Sequence, residues 1–417
     1  MPTPRVFYSE VKIELFHDDY AAVAAFKKSL QSELNSFFDE KHKCTKSAFC
    51  IARKKLKYTL FEDIFIKIVS LFFQFHCPQT FRGFLLWACD STVQLLPDNE
   101  ETRKIGIHKN QYKEVASVKV SIYFDILNQI ITNAKLFDKR KSDLLCTIEA
   151  QISAIPKNVI AIYDRAYGSQ ILPFFHDLCG SKYLIRLRLN FSNTVKAFIE
   201  STANEVIITE KLTEKAYKRL EKLGIRKSKL DTISYRLVKV VLSTGETEIL
   251  MTNLDNSFTI SDLAELYRLR WTVETCFNSV KNHQMLGTFS GYSETAVKQD
   301  IWCNLIFYNL QSISMLGAEI KLKVINEKRK ETPSKRKKNE NKGYKLNRNI
   351  GTNTLRSYLP RLISPAHFGK TSAMIEEMTA YFLQSLELVK PTKKERPRKL
   401  IRQNARHHTE MNYKRGF

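Results

Sequence analysis

Two apolar runs in the sequence have the length of a single strand, and each leads directly to an aspartate. FRGFLLWACD ends at Asp90, and NVIAIY is followed by Asp164. Continuous apolar runs of this length are typical of strands that are buried on both faces. Between them, VASVKVSIYFDILNQIITNAKL alternates apolar and polar positions and predicts two strands with a turn near Asn128.

The pattern on both sides of Asp164 predicts helices and strands in alternation. LLCTIEAQISAI, just before NVIAIY, has helical periodicity, and FFHDLCGSKYLIRLRL predicts a helix, a glycine stop and a strand. Residues 190–256 are richer in strand patterns, and STGE marks the turn of a hairpin. Helical patterns resume at Ser261. The chain is therefore predicted to be an α/β protein, with a mixed sheet flanked by helices and interrupted by a β-rich insertion.

The stretch YRLRWTVETCFNSVK carries a narrow polar stripe beside an apolar one. On a helical wheel at about 100° per residue, Tyr267, Arg270, Glu274 and Lys281 fall within an arc of about 60°. A solvated helix face explains part of this pattern, because Arg270 and Glu274 also form an i,i+4 pair that stabilises a surface helix. The alternative is that all four side chains face one ligand.

Three acids then suggest a metal site. Asp90 and Asp164 are predicted at the ends of buried strands, where sites are often built in sheets flanked by helices. Each is also explained as an ordinary turn or cap residue. If both meet Glu274, three carboxylates can hold two Mg²⁺ ions, or Mn²⁺ in their place, about 3.5–4 Å apart. That chemistry makes a nucleophile and stabilises a leaving oxygen in phosphodiester cleavage.

The charge balance favours nucleic acid as the partner. The 417 residues carry a net charge of +24, and the eight cysteines contain no Cys-x-x-Cys pair. So much positive charge implies a polyanionic partner, with an acidic membrane surface as the alternative. Scattered cysteines fit free thiols in a reducing compartment. No stretch has the pattern of a signal peptide or a membrane span, so we expect a soluble, cytoplasmic protein.

Two further regions are basic. CTKSAFCIARKKLKYTL predicts a helix that ends in Arg53, Lys54 and Lys55, either the recognition helix of a helix-turn-helix or a solvated basic face. KLKVINEKRKETPSKRKKNENKGYKLNRN is dense in lysine and poor in apolar residues, which predicts a mobile linker or arm. A helix pair is expected over 353–388. The tail PTKKERPRKLIRQNARHH is predicted to contact phosphates.

The spacing of Tyr267, Arg270, Glu274 and Lys281 resembles the signature of the DDE transposases of insertion-sequence family 4. LLWACDST around Asp90 and IAIYDRAYGS around Asp164 resemble the contexts of their first two acids. LIRLRLN and ILMTNL are similar to the strands that flank their insertion. The resemblance covers roughly residues 40–315.

This resemblance implies an RNase H-like catalytic domain and a cut-and-paste DNA transposase of a bacterial insertion sequence. Double-stranded DNA, as inverted-repeat ends and as target, would be the partner, with a homodimer in the DNA complex. Arg165 and Tyr167 are expected to contact DNA together with Tyr267, Arg270 and Lys281. Some relatives stack a flipped base on a tryptophan of the insertion, whereas none of the three tryptophans here lies in it. An aromatic such as Tyr235 takes that role, or the hairpin step is absent or different.

The predicted organisation has five segments. They are an N-terminal helical DNA-binding region (1–80), the first part of the catalytic domain (81–188), the β-rich insertion (189–258), the second part of the catalytic domain (259–320) and a basic C-terminal region (321–417). Two other functions fit the same residues. One is an RNase H-like endonuclease without strand transfer, and the other is a catalytically silent repressor derived from a transposase.

Overall fold

The computed structural model describes residues 44–109, 114–150, 152–224, 232–242, 245–284, 286–331 and 343–389, together with 31, 34 and 35. The predicted basic tail and most of the predicted elements before residue 44 lie outside these residues. The described chain forms two compact units. The sheet unit comprises 78–95 and 103–277, and the helical unit comprises the remaining described residues, 96–102 and 278–389 among them.

Helices and strands are interspersed along the chain. Its first half contains α1 (Lys46–Lys55), α2 (Tyr58–Phe75), β1 (Leu85–Leu95), α3 (Glu100–Arg103), β2 (Ile107–Lys109), β3 (Glu114–Asp125), β4 (Ile130–Phe137), α4 (Asp143–Ala150), β5 (Val159–Tyr163), α5 (Ile171–Cys179) and β6 (Lys182–Leu187). Its second half contains α6 (Asn193–Glu200), β7 (Glu205–Lys211), α7 (Glu214–Lys222), β8 (Thr232–Val241), β9 (Thr247–Thr252), α8 (Ile260–Leu269), α9 (Thr272–Asn278), α10 (Glu294–Glu331), β10 (Tyr344–Leu346), α11 (Arg348–Ile363), α12 (Thr371–Gln384) and β11 (Leu386–Leu388).

Nine described strands of the sheet unit form one sheet. Its order is β2-β3-β1-β5-β6-β9-β8-β7, with β4 also paired to β3. β3 pairs antiparallel with both β1 and β4, whereas β5 pairs parallel with β1 and β6 pairs parallel with β5. Helices α4, α5 and α8 pack against this sheet. A large mixed sheet flanked by helices is consistent with the predicted RNase H-like fold.

The predicted strands and turns of the first half are confirmed, with one difference in length. β3 and β4 meet at a turn where Asp125 Oδ1 accepts the backbone N–H groups of Leu127 and Asn128. Gly180 ends α5 with φ of 68°, a conformation that glycine adopts without strain. β1, however, does not end at Asp90 as predicted. It continues to Leu95 because its second half pairs with β3, from Ser91 opposite Ser121 to Leu95 opposite Ser117.

The predicted insertion extends the central sheet. β9 pairs antiparallel with β6, and β8 and β7 follow outward. The region also contains two helices that the sequence analysis did not predict. Ser192 and Thr213 cap the N-termini of α6 and α7, each accepting a backbone N–H from the helix's first turn.

In the helical unit, α2 packs along α10, and the rings of Phe65 and Trp302 lie 5.4 Å apart. α10 continues to Glu331, so the predicted linker is helical over its first eleven residues, 321–331. The helix pair predicted near the C-terminus is confirmed as α11 and α12. Its first helix, α11, begins at Arg348, five residues before the predicted start at 353. The five predicted segments remain a prediction. The two compact units have different boundaries, because residues 96–102 and 278–320 of the predicted catalytic domain belong to the helical unit.

Candidate functional site

The register of two neighbouring strands places Asp90 and Asp164 at one level of the sheet. Ala88 on β1 lies opposite Ile162 on β5, and the two strands are parallel. Asp90 and Asp164 each follow two residues later. Adjacent strands lie about 4.8 Å apart, so the carboxyl groups of Asp90 and Asp164 lie close to each other at the same end of the two strands.

Asp90 lies in a site where a carboxylate is hard to ionise. Its pKa is raised to about 6, first by burial and further by the negative charges of Asp164 and Glu274. The backbone N–H of Ser91, which donates to Asp90 Oδ1 over 2.8 Å, and the Arg270 guanidinium oppose this rise. Asp164 and Glu274 are therefore close enough to Asp90 for their charges to raise its pKa.

Arg270 links two of these acids. Its Nη2 donates to Glu274 Oε1 over 2.8 Å, and its Nη1 lies 3.9 Å from Asp90 Oδ2. The Arg270 side chain is 9% exposed, whereas the Asp90 and Glu274 side chains are 26% and 38% exposed. The arginine is thus buried behind carboxylates whose outer oxygens remain open to solvent.

Asp164 begins a short 3₁₀ turn, Arg165–Tyr167, and Asp164 Oδ1 accepts the backbone N–H of Ala166 over 2.8 Å. One of its oxygens thus has the cap role that the sequence allowed. Arg165 is exposed beside it. Tyr167 is buried, and its hydroxyl lies 3.6 Å from Cys89 Sγ. In this conformation Tyr167 packs beneath the site, so its predicted DNA contact requires a rearrangement.

A buried polar chain fixes the end of β5. The hydroxyls of Tyr123 and Tyr163 lie 2.8 Å apart, and the Tyr163 hydroxyl lies 2.8 Å from His176 Nε2. His176 Nδ1 in turn lies 2.7 Å from Ser181 Oγ. Burial lowers the pKa of His176 to about 3, so its ring is neutral at physiological pH. These contacts fix the position of Tyr163, the last residue of β5, directly before Asp164.

Tyr267 is connected to two residues that the sequence analysis did not single out. Its hydroxyl lies near the guanidinium of Arg186 on β6, whose positive charge opposes the rise in the Tyr267 pKa, and Arg186 Nη1 pairs with Glu248 Oε1 on β9 at 2.8 Å. Burial raises the pKa of Tyr267, so the hydroxyl stays protonated at neutral pH. An arginine in the otherwise apolar run YLIRL was the available signal, because a charge in a buried strand requires a partner.

The polar stripe does not lie on one continuous helix, so that part of the sequence prediction is wrong. α8 ends at Leu269 and α9 begins at Thr272. Between them the N–H groups of Arg270, Val273 and Glu274 bond to the carbonyls three residues earlier, which tightens the turn. Lys281 lies in a π-helical turn, Ser279–His283, within the helical unit, and its side chain is exposed.

The three acids are suitable ligands for a hard divalent cation, since carboxylate oxygens are what Mg²⁺ and Mn²⁺ prefer. Among the described residues, however, no group of three histidine, cysteine, aspartate or glutamate side chains is close enough to hold a metal ion. The residue types therefore fit the cation. In their present arrangement Arg270 bridges Asp90 and Glu274, with Asp164 beside Asp90, and a closed ligand shell would require the side chains to move.

In the helical unit, the three basic residues at the end of α1 differ from one another. Arg53 Nε donates to Gln299 Oε1, and its Nη2 donates to Ala296 O and to Asp300 Oδ1. Its Nη1 donates to Ser290 Oγ. Lys54 and Lys55 are exposed. The guanidinium of Arg53 is therefore occupied within the protein, whereas the two lysines face solvent.

A comparison with protein families identifies the class. The family model described as Transposase DDE domain matches residues 85–310, from the first residue of β1 into α10. The chain belongs to the transposase DDE domain family. In this DDE-domain protein the matched segment contains all three predicted acids and the whole insertion. No curated protein matches the sequence.

Hydropathy adds one further observation. No helix among the described residues is both long enough and apolar enough to cross a lipid bilayer.

Proposed function

We propose that this DDE-domain protein is the DNA transposase of an insertion sequence, of the family-4 type that its four-residue signature resembles. It binds the terminal inverted repeats, cleaves DNA at the element's ends and joins those ends to a target. The observation that carries the proposal is the shared register of Asp90 and Asp164, with Glu274 tied to Asp90 through Arg270, inside the matched family segment.

Asp90, Asp164 and Glu274 are proposed to hold Mg²⁺, two ions in all, with Mn²⁺ as a substitute. Bound there, such a cation would lower the pKa of a water or a DNA 3′-hydroxyl and neutralise the leaving oxygen. The protein's own contribution is positional. Before DNA binds, Arg270 holds the Glu274 carboxylate close to Asp90, and the capped turn after Asp164 fixes the third acid.

The side chains around the acids are suited to holding a phosphate. The Arg270 and Arg186 guanidinium groups present planar forks of N–H donors, and Tyr267 adds a protonated hydroxyl between them. Arg165, exposed beside Asp164, is a further guanidinium that can bind a phosphate. Lys281 remains a proposed DNA contact from its spacing in the signature.

At the N-terminus, the exposed side chains of Lys54 and Lys55 are proposed to contact the DNA backbone. Arg53 is proposed to support them by fixing the end of α1, since its own donors bond to Gln299, Ala296 and Asp300. A homodimer assembled on two DNA ends is part of the proposal.

The test uses the purified full chain, Mg²⁺ and a duplex carrying the element's own ends. Wild-type protein should cut at those ends and join them to a second DNA. Glu274→Gln should abolish cleavage and keep DNA binding, because it removes the charge that a cation needs but keeps the side-chain volume. Glu265→Gln, at an exposed position on α8, is the matched control and should cleave normally.

Two outcomes would redirect the assignment. Cleavage that survives Glu274→Gln would contradict the proposed acid cluster. Cleavage at the ends without joining would favour an RNase H-like endonuclease instead.

A further inference from the structure

The insertion helix α7 is amphipathic, with a buried apolar side and an exposed charged side. Its buried side is formed by Ala216, Tyr217 and Leu220, and Thr213 caps its N-terminus by accepting the backbone N–H of Ala216. At about 100° per residue these three apolar side chains span about one third of the helix circumference. The helix is thus anchored to the sheet unit along one side only.

The opposite side of α7 is a continuous basic stripe. Lys215, Lys218, Arg219 and Lys222 are all exposed. Their positions fall within an arc of about 100° that is centred roughly opposite the buried side. Within the described part of the chain, none of these four side chains forms an ion pair or a hydrogen bond. The two glutamates of the helix, Glu214 and Glu221, lie together on one flank of the stripe.

This arrangement is unfavourable for the protein alone. Residues three and four apart on a helix are neighbours, so the four cations make four repulsive pairs. Lys218 also has two attractive neighbours, Glu214 and Glu221, which offset part of this repulsion and leave a net excess of positive charge on the stripe. A nearby polyanion would neutralise this excess.

The dimensions of the stripe fit a nucleic-acid backbone. From Lys215 to Lys222 the helix rises about 10 Å, at about 1.5 Å per residue. Phosphates along one DNA strand are spaced about 3.4 Å apart along the axis, so the stripe can face about three of them. A membrane surface would need apolar side chains beside the cations, and the apolar side chains of α7 are buried.

We propose that α7 is a binding site for the phosphate backbone of duplex DNA. It holds the duplex without reading bases, because lysines facing phosphates make no contact with base edges. The inference rests on the proposed function, since it takes DNA to be the substrate of the sheet unit. It adds a contact surface outside the acid cluster and outside the four-residue signature.

The experiment compares two triple variants of the full chain that lose the same charge. One is Lys215→Ala, Lys218→Ala, Lys222→Ala on the stripe. The control is Lys104→Ala, Lys157→Ala, Lys196→Ala, three exposed lysines on separate segments of the sheet unit. Affinity for an end-bearing duplex and for a scrambled duplex is measured from low to moderate salt. Alanine preserves the helix, and thermal unfolding confirms that both variants are folded.

The stripe variant should reduce the slope of log K against log salt by about 2–3, since each lost phosphate contact removes about 0.9. Both duplexes should lose affinity by the same factor. Lys215→Arg, Lys218→Arg, Lys222→Arg should restore the wild-type slope. A folded stripe variant whose slope equals that of the scattered control would overturn the inference. Wild-type protein that bound neither duplex would contradict the proposed function as well.

Discussion

Two arginines in this molecule meet carboxylates in different ways, one in each compact unit. Arg53, 15% exposed, pairs with Asp300, which is 4% exposed, and Gln299, Ser290 and a backbone carbonyl bond to its remaining N–H groups. Arg270 makes one close bond to Glu274 and one longer contact to Asp90, and both acids keep oxygens exposed to solvent.

The difference separates a structural ion pair from a candidate site. Around Arg53, donors and acceptors are nearly matched, and a closed network of this kind contributes to stability. Arg270 contacts two acids, Asp90 and Glu274, and Asp164 adds a third negative charge near Asp90, which leaves an excess of negative charge that burial makes unfavourable. Such an excess is what a cation would relieve.

The largest effect should come from exchanging one acid in each network. Asp90→Asn should reduce end cleavage at least about a thousandfold, which corresponds to about 4 kcal/mol in the barrier, because a metal ligand is lost. Its unfolding temperature should not fall at neutral pH, because the amide removes a buried negative charge that opposes folding. Asp300→Asn should keep the chemistry of the sheet unit. Equal cleavage by Asp90→Asn and wild-type protein would mean that the acids around Arg270 are not a catalytic site.

Asp300→Ala should cause the largest loss of stability. It leaves the Arg53 guanidinium without its charged partner and the Ser290 N–H without its acceptor, and breaking a buried pair in this way costs about 3–5 kcal/mol. Urea unfolding measures the loss. The control is Glu294→Ala, which breaks the more exposed pair with Lys298 and should cost less than about 1 kcal/mol. Similar losses in both variants would mean that the Arg53 network is not stabilising.

Asp125 sharpens the comparison, because it is a buried acid held by uncharged N–H donors. Burial raises its pKa to about 6, against the opposing hydrogen bonds from the N–H groups of Asn128 and Leu127. The folded state therefore binds the proton more tightly than the unfolded state, and this group's contribution to stability falls as pH rises from about 4 to about 6. Asp125→Asn should remove about 3 kcal/mol of that fall. Unchanged pH dependence of urea unfolding would contradict it.

The smallest predicted effect concerns the competition between Arg270 and a cation. Arg270→Gln removes the guanidinium that lies between Asp90 and Glu274, so repulsion among the acids increases. Mg²⁺ should then raise the unfolding temperature by a few degrees more than it does in wild-type protein. Arg53→Gln is the matched control and should show no added response. A response in Arg270→Gln no larger than in the control would argue against the cluster as a cation site.

The elements that carry the acids were predictable from local pattern. Buried strands give apolar runs, so β5 and the first part of β1 were visible in the sequence, and with them the positions of Asp90 and Asp164. The continuation of β1 to Leu95 was not, because its alternating residues form a strand only through pairing with β3. The helices α6 and α7 had visible caps in Ser192 and Thr213, yet they lie among stronger strand signals.

Roles that depend on distant partners were not predictable. Arg53 and Lys54 are adjacent basic residues, and only Asp300, 247 positions away, distinguishes the bonded arginine from the exposed lysine. The link from Tyr267 through Arg186 to Glu248 likewise joins a helix to two strands. The break at Arg270 was hidden because a helical wheel assumes one continuous helix, whereas the bonds there tighten to three-residue turns.

The most direct test of the central claim is to locate Mn²⁺ in a crystal of the protein bound to a duplex carrying the element's end. The anomalous signal of Mn²⁺ would be measured. We expect peaks within about 2.0–2.6 Å of carboxylate oxygens of Asp90, Asp164 and Glu274, with Arg270 displaced from Asp90 or Glu274. Ordered DNA at this site with Asp90 and Glu274 still bridged by Arg270, and Mn²⁺ bound elsewhere, would contradict the proposed cation site.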